Sequence, residues 1–559
     1  MKLTGAQIVT EQLIKHGITT VFGYPGGAVL PLYDELYKNA DKINHVLAAH
    51  EQGAAHAADG YARVSGTIGV VIATSGPGAT NLVTGIANAY LDSVPIVAIT
   101  GNVPVPLLGK DSFQEVDIVG ITKPIVKHNF MVRDVETLEH TLNEAFRIAG
   151  SGRRGPVLVD IPKNVQTDMG EYFGNLPTAE LPAEEAVPTC ALDTADVEQL
   201  VEVITNSKKP YIYAGGGVIA SGAESELREL SKRISAPVGL SITGLTALPN
   251  DYPLNLGMSG MHGKYAASVA KSECDVLIAL GVRFSDRATG NVDEYSKDKT
   301  IIHVDIDSTE FRKNVSSHIE ICGDVKQVLS RLLEKLPIVK NDEWLLRIDE
   351  LKQVDIEPEN SEFTPKNIIE TVRRYCNEDT VVATDVGQHQ MWVTQYYRFQ
   401  KTRTLLTSGG LGAMGYGLGA AIGGCMANGS KRTVLFTGDG SFGMNLTELA
   451  TVVSQELPII VVILNNNALG LPRQWQTTFF GGRYSNSTLD RKTDFPALAK
   501  AFGTHGYSAE SLPQLEAILG NLPVDASAVI DCHIGMDEKV FPMIPPGGSV
   551  KDIITRGQG

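Results

Sequence analysis

What most constrains this chain is a recurring pattern of short β-branched apolar runs separated by helix-like stretches. The runs are Gly69–Thr74, Pro95–Thr100, Pro156–Ile161, Asp275–Leu280, Thr300–Asp305, Thr433–Phe436 and Ile459–Leu464. They are apolar on both faces, as strands buried inside parallel sheets must be. Parallel neighbours need crossovers, and the helical stretches supply them. The expected fold class is α/β, with doubly wound parallel sheets. At 559 residues the chain exceeds what one hydrophobic core serves, so about three or four domains are expected. Asn175–Thr189 is rich in proline and acid, and Pro337–Thr364 is polar and charged, although Asp342–Leu351 within it can be helical. Cutting there gives segments 1–170, 190–340 and 365–559. The first and third segments are candidates for structural duplicates, but their sequences do not show it.

The charge balance narrows the function. Lys plus Arg is 48 and Asp plus Glu is 64, a net charge of −16, which opposes binding to nucleic acid. Six scattered cysteines contain no CxxC pair, so buried reduced thiols are expected rather than zinc or disulfides. The amino terminus reads as an amphipathic helix without signal-peptide character. No uninterrupted apolar stretch is long enough to span a bilayer. A cytoplasmic enzyme without membrane contact is the expectation.

The sharpest chemistry follows Thr433–Phe436. Gly438-Asp439-Gly440-Ser441-Phe442 comes directly after that run, then a helix expected from about Met444 to Gln455. Strand Ile459–Leu464 and Asn465-Asn466-Asn467 complete the unit. Such a βαβ unit places ligand groups at strand carboxyl ends. Its glycines let backbone N–H groups approach a diphosphate beside a helix amino terminus. Asp439 and Asn466, 27 residues apart, offer hard oxygens suited to magnesium, and the Ala468 carbonyl offers a third. A lone GDG turn is commonly just a surface turn. Gly410–Gly415 is a literal GxGxxG, but no acid stands between Tyr416 and Gly438, so a dinucleotide fingerprint is not expected there.

GDGSF followed by a strand and NN resembles the fingerprint of thiamine diphosphate enzymes. Similarity to biosynthetic acetolactate synthases extends over nearly the whole chain. It includes FGYPGGAVLPLYDEL (Phe22–Leu36), HEQGAAHAADGYAR (His50–Arg63), TSGPGATNLVTGIANAYLDSVP (Thr74–Pro95), FQEVDIVGITKPIVKH (Phe113–His128), GPVLVDIPKNVQ (Gly155–Gln166), RFSDRATG (Arg283–Gly290), RQWQ (Arg473–Gln476) and FPMIPPGGS (Phe541–Ser549). The HExxH reading of the second stretch fails, because Ala54 stands where the second histidine of a zinc protease must be.

The resemblance implies three domains of the thiamine diphosphate-binding fold: a pyrimidine-binding first, a flavin-associated second and a diphosphate-binding third. It implies thiamine diphosphate, Mg2+ and FAD as cofactors. Glu51 would be the acid that hydrogen-bonds the cofactor's aminopyrimidine ring, with Gln114 and Lys163 further catalytic candidates. Gly26, Gly27, Thr74, Pro77, Asn81, Gly387, Gln388, His389, Gly412, Gly438, Gly440, Ser441, Leu469, Gly470 and Leu471 would line the thiamine site, and Met414 would prop the bent cofactor. Asp439, Asn466 and Ala468 would hold the metal. Gly215, Gly216, Gly217, Gly260, Met261, His262, Gly263, Gly281, Arg283, Arg287, Asp305, Ile306 and Asp324 would form a flavin set, the flavin being structural because the net reaction moves no electrons.

Pyruvate would lose carbon dioxide, and its two-carbon unit would pass to a second pyruvate or to 2-ketobutyrate. Arg287 would fork onto the acceptor's carboxylate, Trp475 would pack its alkyl group, and Phe113 would line the other side of the cleft. At least a homodimer is implied, with Glu51 and Asp439 in opposite subunits, and a small regulatory subunit is a candidate partner. Three departures stand out: Ser285 for an acid, Gly443 for a larger side chain, and Leu471-Pro472 for Met-Val. Pro472 is expected to keep Leu471 out of helix. Competing readings are a related decarboxylase or oxidase and a binding protein on a decayed thiamine fold.

Overall fold

The computed structural model describes residues 1–174, 194–354 and 362–555. The boundary at Asn175–Thr189 lies outside the described residues, as do Cys190 and positions 355–361 of the second boundary stretch. Three six-stranded sheets, each parallel throughout, carry the architecture. In the first, strands Thr20–Tyr24, Asn44–Leu47, Gly69–Ala73, Ile96–Asn102, His128–Met131 and Val157–Pro162 lie in the spatial order second, first, third, fourth, sixth, fifth. The third sheet is built from Val382–Thr384, Leu405–Leu406, Thr433–Thr437, Ile459–Asn465, His505–Ala509 and Ala528–His533, and it repeats that order. The first and third units are thus topological duplicates. The middle sheet, between Pro210–Ala214 and Ile319–Cys322, runs third, second, first, fourth, fifth, sixth, the order of a dinucleotide-binding sheet.

Each sheet buries both faces, which is why its strands read as unbroken apolar runs. Val70 and Ile72 point into one core while Val71 and Ala73 point into another. Val461 and Ile463 share the second of these cores with the first domain, whereas Val462 and Leu464 face a core shared with the middle domain. No helix among the described residues is long and apolar enough to cross a membrane. Among the described residues, Cys274, Cys376, Cys425 and Cys532 are free thiols.

Two helices join the first and third domains. Glu51–Ser65 packs on Tyr416–Ala427. Both are rich in Gly and Ala, which lets the backbones nearly touch: a Cβ at Gly423 would fall 1.8 Å from the Ala57 carbonyl oxygen, and one at Gly60 would fall 2.2 Å from that of Ala420. The crossing is closed by a buried polar network. Asp59 accepts hydrogen bonds from Arg63 at 2.6 Å, Tyr416 at 2.7 Å and Asn88 at 3.1 Å. Arg63 also meets Asp92 at 2.8 Å, so the buried charges are paired rather than stranded.

Candidate active site

Strands Thr433–Thr437 and Ile459–Asn465 are neighbours in the third sheet, so their carboxyl ends bring the two motifs together. The helix after the first strand begins at Asp439 itself and runs to Asn445, with Gly438 as its cap. This corrects the expected start near Met444: the GDGSF residues form the first helical turn. Asp439 is buried, and its Oδ1 has no hydrogen-bond partner. Burial pushes its carboxyl up to about 6, against the pull of nearby backbone N–H groups. Asn466 Oδ1 accepts from the Ala468 N–H at 3.2 Å, and Asn466 Nδ2 donates to Gln388 Oε1 at 3.1 Å. Asn467, at φ 51°, turns the chain there.

Gly387 leads into helix Gln388–Tyr396, which delivers Gln388 and His389 to the same place. A Cβ at Gly470 would lie 1.9 Å from Gln388 Oε1, so a larger residue there would push the end of that side chain aside. His389 lies beside Gly438; burial pushes its imidazole down to about 3, and its Nε2 has no partner. Ser441 Oγ donates to the Val386 carbonyl at 3.1 Å. Gly412 takes φ 69°, and the Met414 methyl lies 3.9 Å from where a Gly440 Cβ would be. Sequence reasoning passed over Asp385. It accepts from Thr437 Oγ1 at 3.0 Å and from the Gly415 N–H at 2.7 Å, tying the Met414 loop to the strand end.

Leu469 caps helix Gly470–Phe479. Leu471 and Pro472 both lie inside its first turn, which overturns the expectation that Pro472 would keep Leu471 non-helical. First-turn N–H groups have no intrahelical acceptor, so proline forfeits no bond there.

Among the described residues, no three His, Cys, Asp or Glu side chains gather as a metal site. The donor set here is of another kind: one carboxylate with an unpartnered buried oxygen, one amide and one backbone carbonyl. Those are hard oxygens, few in number, and they fit magnesium shared with a diphosphate.

A second cluster forms in the first domain. Glu51 opens helix Glu51–Ser65, whose cap, His50, accepts from the Gln52 N–H at 3.1 Å. The Glu51 carboxyl is buried rather than solvated and accepts from Asn81 Nδ2 at 2.9 Å. Asn81 ends the short helix that starts at Pro77. Thr74 Oγ1 accepts from the Ala28 N–H at 3.4 Å, and a Cβ at Gly26 would strike Thr74 at 2.5 Å. A Cβ at Gly27 would meet open space. Phe113 is 88% exposed, Gln114 takes φ 59° against the backbone of Gly76, and Lys163 is exposed at the start of helix Lys163–Thr167. Among the described residues, no hydrogen bond runs from Glu51, Asn81 or Thr74 to Asp439 or Asn466.

In the middle domain, strand Pro210–Ala214 leads into Gly215 and a helix from Gly216. Gly215 and Gly217 stack on the backbone of Gly281, where added Cβ atoms would lie 2.2 and 2.6 Å from it. Gly260 packs on the Arg287 carbonyl, and the Met261 N–H donates to that same oxygen at 2.8 Å. Gly263 folds tightly on Gly260. His262 is buried, and its imidazole is pushed down to about 4 by burial. Asp305 ends its strand, and burial raises its carboxyl to about 6; Ile306 follows. Asp324 caps helix Val325–Lys335 by accepting from the Gln327 N–H. Half-buried Arg283 reaches Gly410 of the third domain. Arg153, which the motif search missed because it lies far away in the first segment, pairs with Asp307 and Glu310 at 3.2 and 2.7 Å. Arg287 is exposed, and its guanidinium lies 5.6 Å from the ring of Trp475. A forked cation and a flat apolar ring therefore meet where the middle and third domains adjoin.

Comparison with known proteins bears on the whole constellation. Residues 3–121 match the N-terminal TPP binding domain of thiamine pyrophosphate enzymes, 197–332 their central domain and 385–532 their C-terminal TPP binding domain. The chain is 43% identical to a probable acetolactate synthase large subunit of Methanocaldococcus jannaschii, over 99% of this chain and 95% of that protein. It is also 43% identical to the acetolactate synthase isozyme 2 large subunit of Escherichia coli, over 99% of this chain and 100% of that protein. The chain belongs to the acetolactate synthase large-subunit family. The Lactococcus lactis acetolactate synthase large subunit is again 43% identical, over 97% of this chain and 95% of its own length. In this acetolactate synthase family member, Glu51 and Asn81 fall in the N-terminal TPP binding region and Asp439 and Asn466 in the C-terminal one.

Proposed function

We propose that this chain is the catalytic large subunit of an acetolactate synthase in branched-chain amino acid biosynthesis. It decarboxylates pyruvate and transfers the two-carbon unit to a second pyruvate, giving 2-acetolactate, or to 2-ketobutyrate, giving 2-aceto-2-hydroxybutyrate. The observation that carries the acceptor chemistry is Arg287 over Trp475. The guanidinium suits a 2-keto acid's carboxylate, and the ring suits a short alkyl group, where one methylene is worth about 1–3 kcal/mol.

Bound thiamine diphosphate supplies the electron sink that makes loss of carbon dioxide from a 2-keto acid possible. Asp439, Asn466 and the Ala468 carbonyl hold Mg2+, which neutralises the diphosphate. The glycines at 438 and 440 admit the phosphates to the helix amino terminus. Glu51, steadied by Asn81, hydrogen-bonds the aminopyrimidine ring and sets where its proton resides. Gly26, Gly27, Phe113, Gln114 and Lys163 line the opposite wall. The Gly215–Gly217 turn, Gly260–Gly263, Arg283 and Asp305 form the FAD site.

A two-fold homodimer in which each copy completes its partner's site is the assembly that the family resemblance implies. A small regulatory subunit, a cytoplasmic location and domain boundaries at 1–170, 190–340 and 365–559 complete the reading. The test is incubation with pyruvate, with and without 2-ketobutyrate, plus thiamine diphosphate, magnesium and FAD. Acetolactate and acetohydroxybutyrate are expected; acetaldehyde, acetate or acetyl phosphate as sole product would refute it.

A further inference from the structure

The helix that begins with Glu51 lacks half of an ordinary amino-terminal cap. His50 caps the Gln52 N–H, but the position that normally reaches back to the cap's own N–H, three residues after His50, is Gly53. In a capping box a Glu or Gln stands there. At this helix the missing carboxylate comes from the third domain. Glu448 Oε1 accepts from the His50 N–H at 3.0 Å, and its Oε2 accepts from the Ala49 N–H at 3.1 Å and from Thr451 Oγ1 at 2.7 Å. Glu448 is 1% exposed. A Cβ at Gly53 would lie 2.0 Å from Glu448 Oε1, so Gly53 vacates the space that the remote carboxylate fills. Glu448 also ends the 3-10 turn Leu446–Glu448 that directly follows helix Asp439–Asn445. One stretch of chain therefore carries the candidate metal carboxylate at its start and the cap of the Glu51 helix at its end.

We propose that Glu448 is a positioning residue for Glu51: it completes the cap of the helix on which Glu51 is the first residue, and so fixes where that carboxyl points. The inference rests on the catalytic reading of Glu51. Under the dimer reading, Glu448 belongs to the same chain as the Glu51 it holds, while the Asp439 at the other end of its stretch serves the second site. Each diphosphate-binding helix is then built together with the acid of the neighbouring site.

Glu448→Gln tests this with little change in volume. It replaces one acceptor by an amide NH2 that must face a backbone N–H. Amide hydrogen exchange over residues 49–53 in the cofactor-free protein should accelerate at least about tenfold, while strand Thr433–Thr437 keeps its parental protection. With cofactors added, kcat should fall about tenfold, the KM for pyruvate should stay within about twofold, and the pH profile of kcat should change. Glu448→Asp keeps two acceptors but withdraws them by a methylene, so it should fall between the parent and the Gln variant. It also serves if the Gln variant does not fold. Parental exchange at 49–53 overturns the proposal, and so does faster exchange with parental kcat and pH profile. Failure of the acetolactate reading would show separately, as a parental protein that forms no acetolactate before any substitution is made.

Discussion

Gly423→Ala isolates the packing that joins the first and third domains within one chain. The added methyl would lie 1.8 Å from the Ala57 carbonyl oxygen, 2.6 Å from its carbon and 2.8 Å from the Tyr61 nitrogen. All three are backbone atoms, so no side chain can swing away, and the helices must part by more than an ångström. Overpacking a tight contact costs about 2 kcal/mol or more. For a cooperative unit the size of one of these domains, that is a fall of roughly 4–8 °C in the melting midpoint. Acetolactate formation should fall as well, because Glu51 stands at the head of one of the displaced helices. Differential scanning calorimetry and a product assay read both effects. Gly150→Ala is the control, since its methyl would meet only Ile68 Cδ1 at 3.5 Å, and it should change neither. A Gly423→Ala protein with parental melting and activity would refute the reasoning.

Further outcomes follow from the same geometry. Burial pushes the Asp160 carboxyl up to about 7, despite hydrogen bonds from Thr100 at 2.7 Å and Asn102 at 2.6 Å. The folded state therefore holds a proton that the unfolded chain releases near about pH 4, and stability falls as pH rises between those values. Asp160→Asn has no such term, so its melting midpoint relative to the parent should rise from about pH 5 to about pH 8; a constant difference would contradict this. Glu51→Gln should keep thiamine diphosphate affinity within about threefold while turnover drops about a hundredfold or more, and near-parental turnover would remove its catalytic role. Purified protein should be yellow with bound FAD, and a colourless yet fully active enzyme would remove the flavin.

Strand positions were legible to within a residue or two, because doubly buried parallel strands leave unbroken apolar runs. Thr300–Asp305 is found as expected, and Thr433–Phe436 gains only Thr437. Spatial strand order was not legible, since each run pairs with partners that no local pattern names; the duplication of the first and third sheets is visible only in their shared order. The GDG and NN motifs were readable because their spacing reflects one local βαβ unit. The helix start at Asp439 was misplaced because glycines depress helix propensity, and here the strand end and diphosphate turn override it. Glu448 and Arg153 were invisible for another reason. Each acts on groups far along the chain, Glu448 on Ala49 and His50 and Arg153 on Asp307 and Glu310, and only the packed domains bring them together.

The most direct test of a site shared between two copies is complementation. Glu51→Gln and Asp439→Ala proteins, each inactive alone, are unfolded together, refolded as a mixture and assayed for acetolactate. If each site takes Glu51 from one copy and Asp439 from the other, half of randomly paired dimers carry one intact site, and about a quarter of parental activity returns. If both residues act within a single chain, every site in the mixture is defective and no activity returns, which would contradict the account.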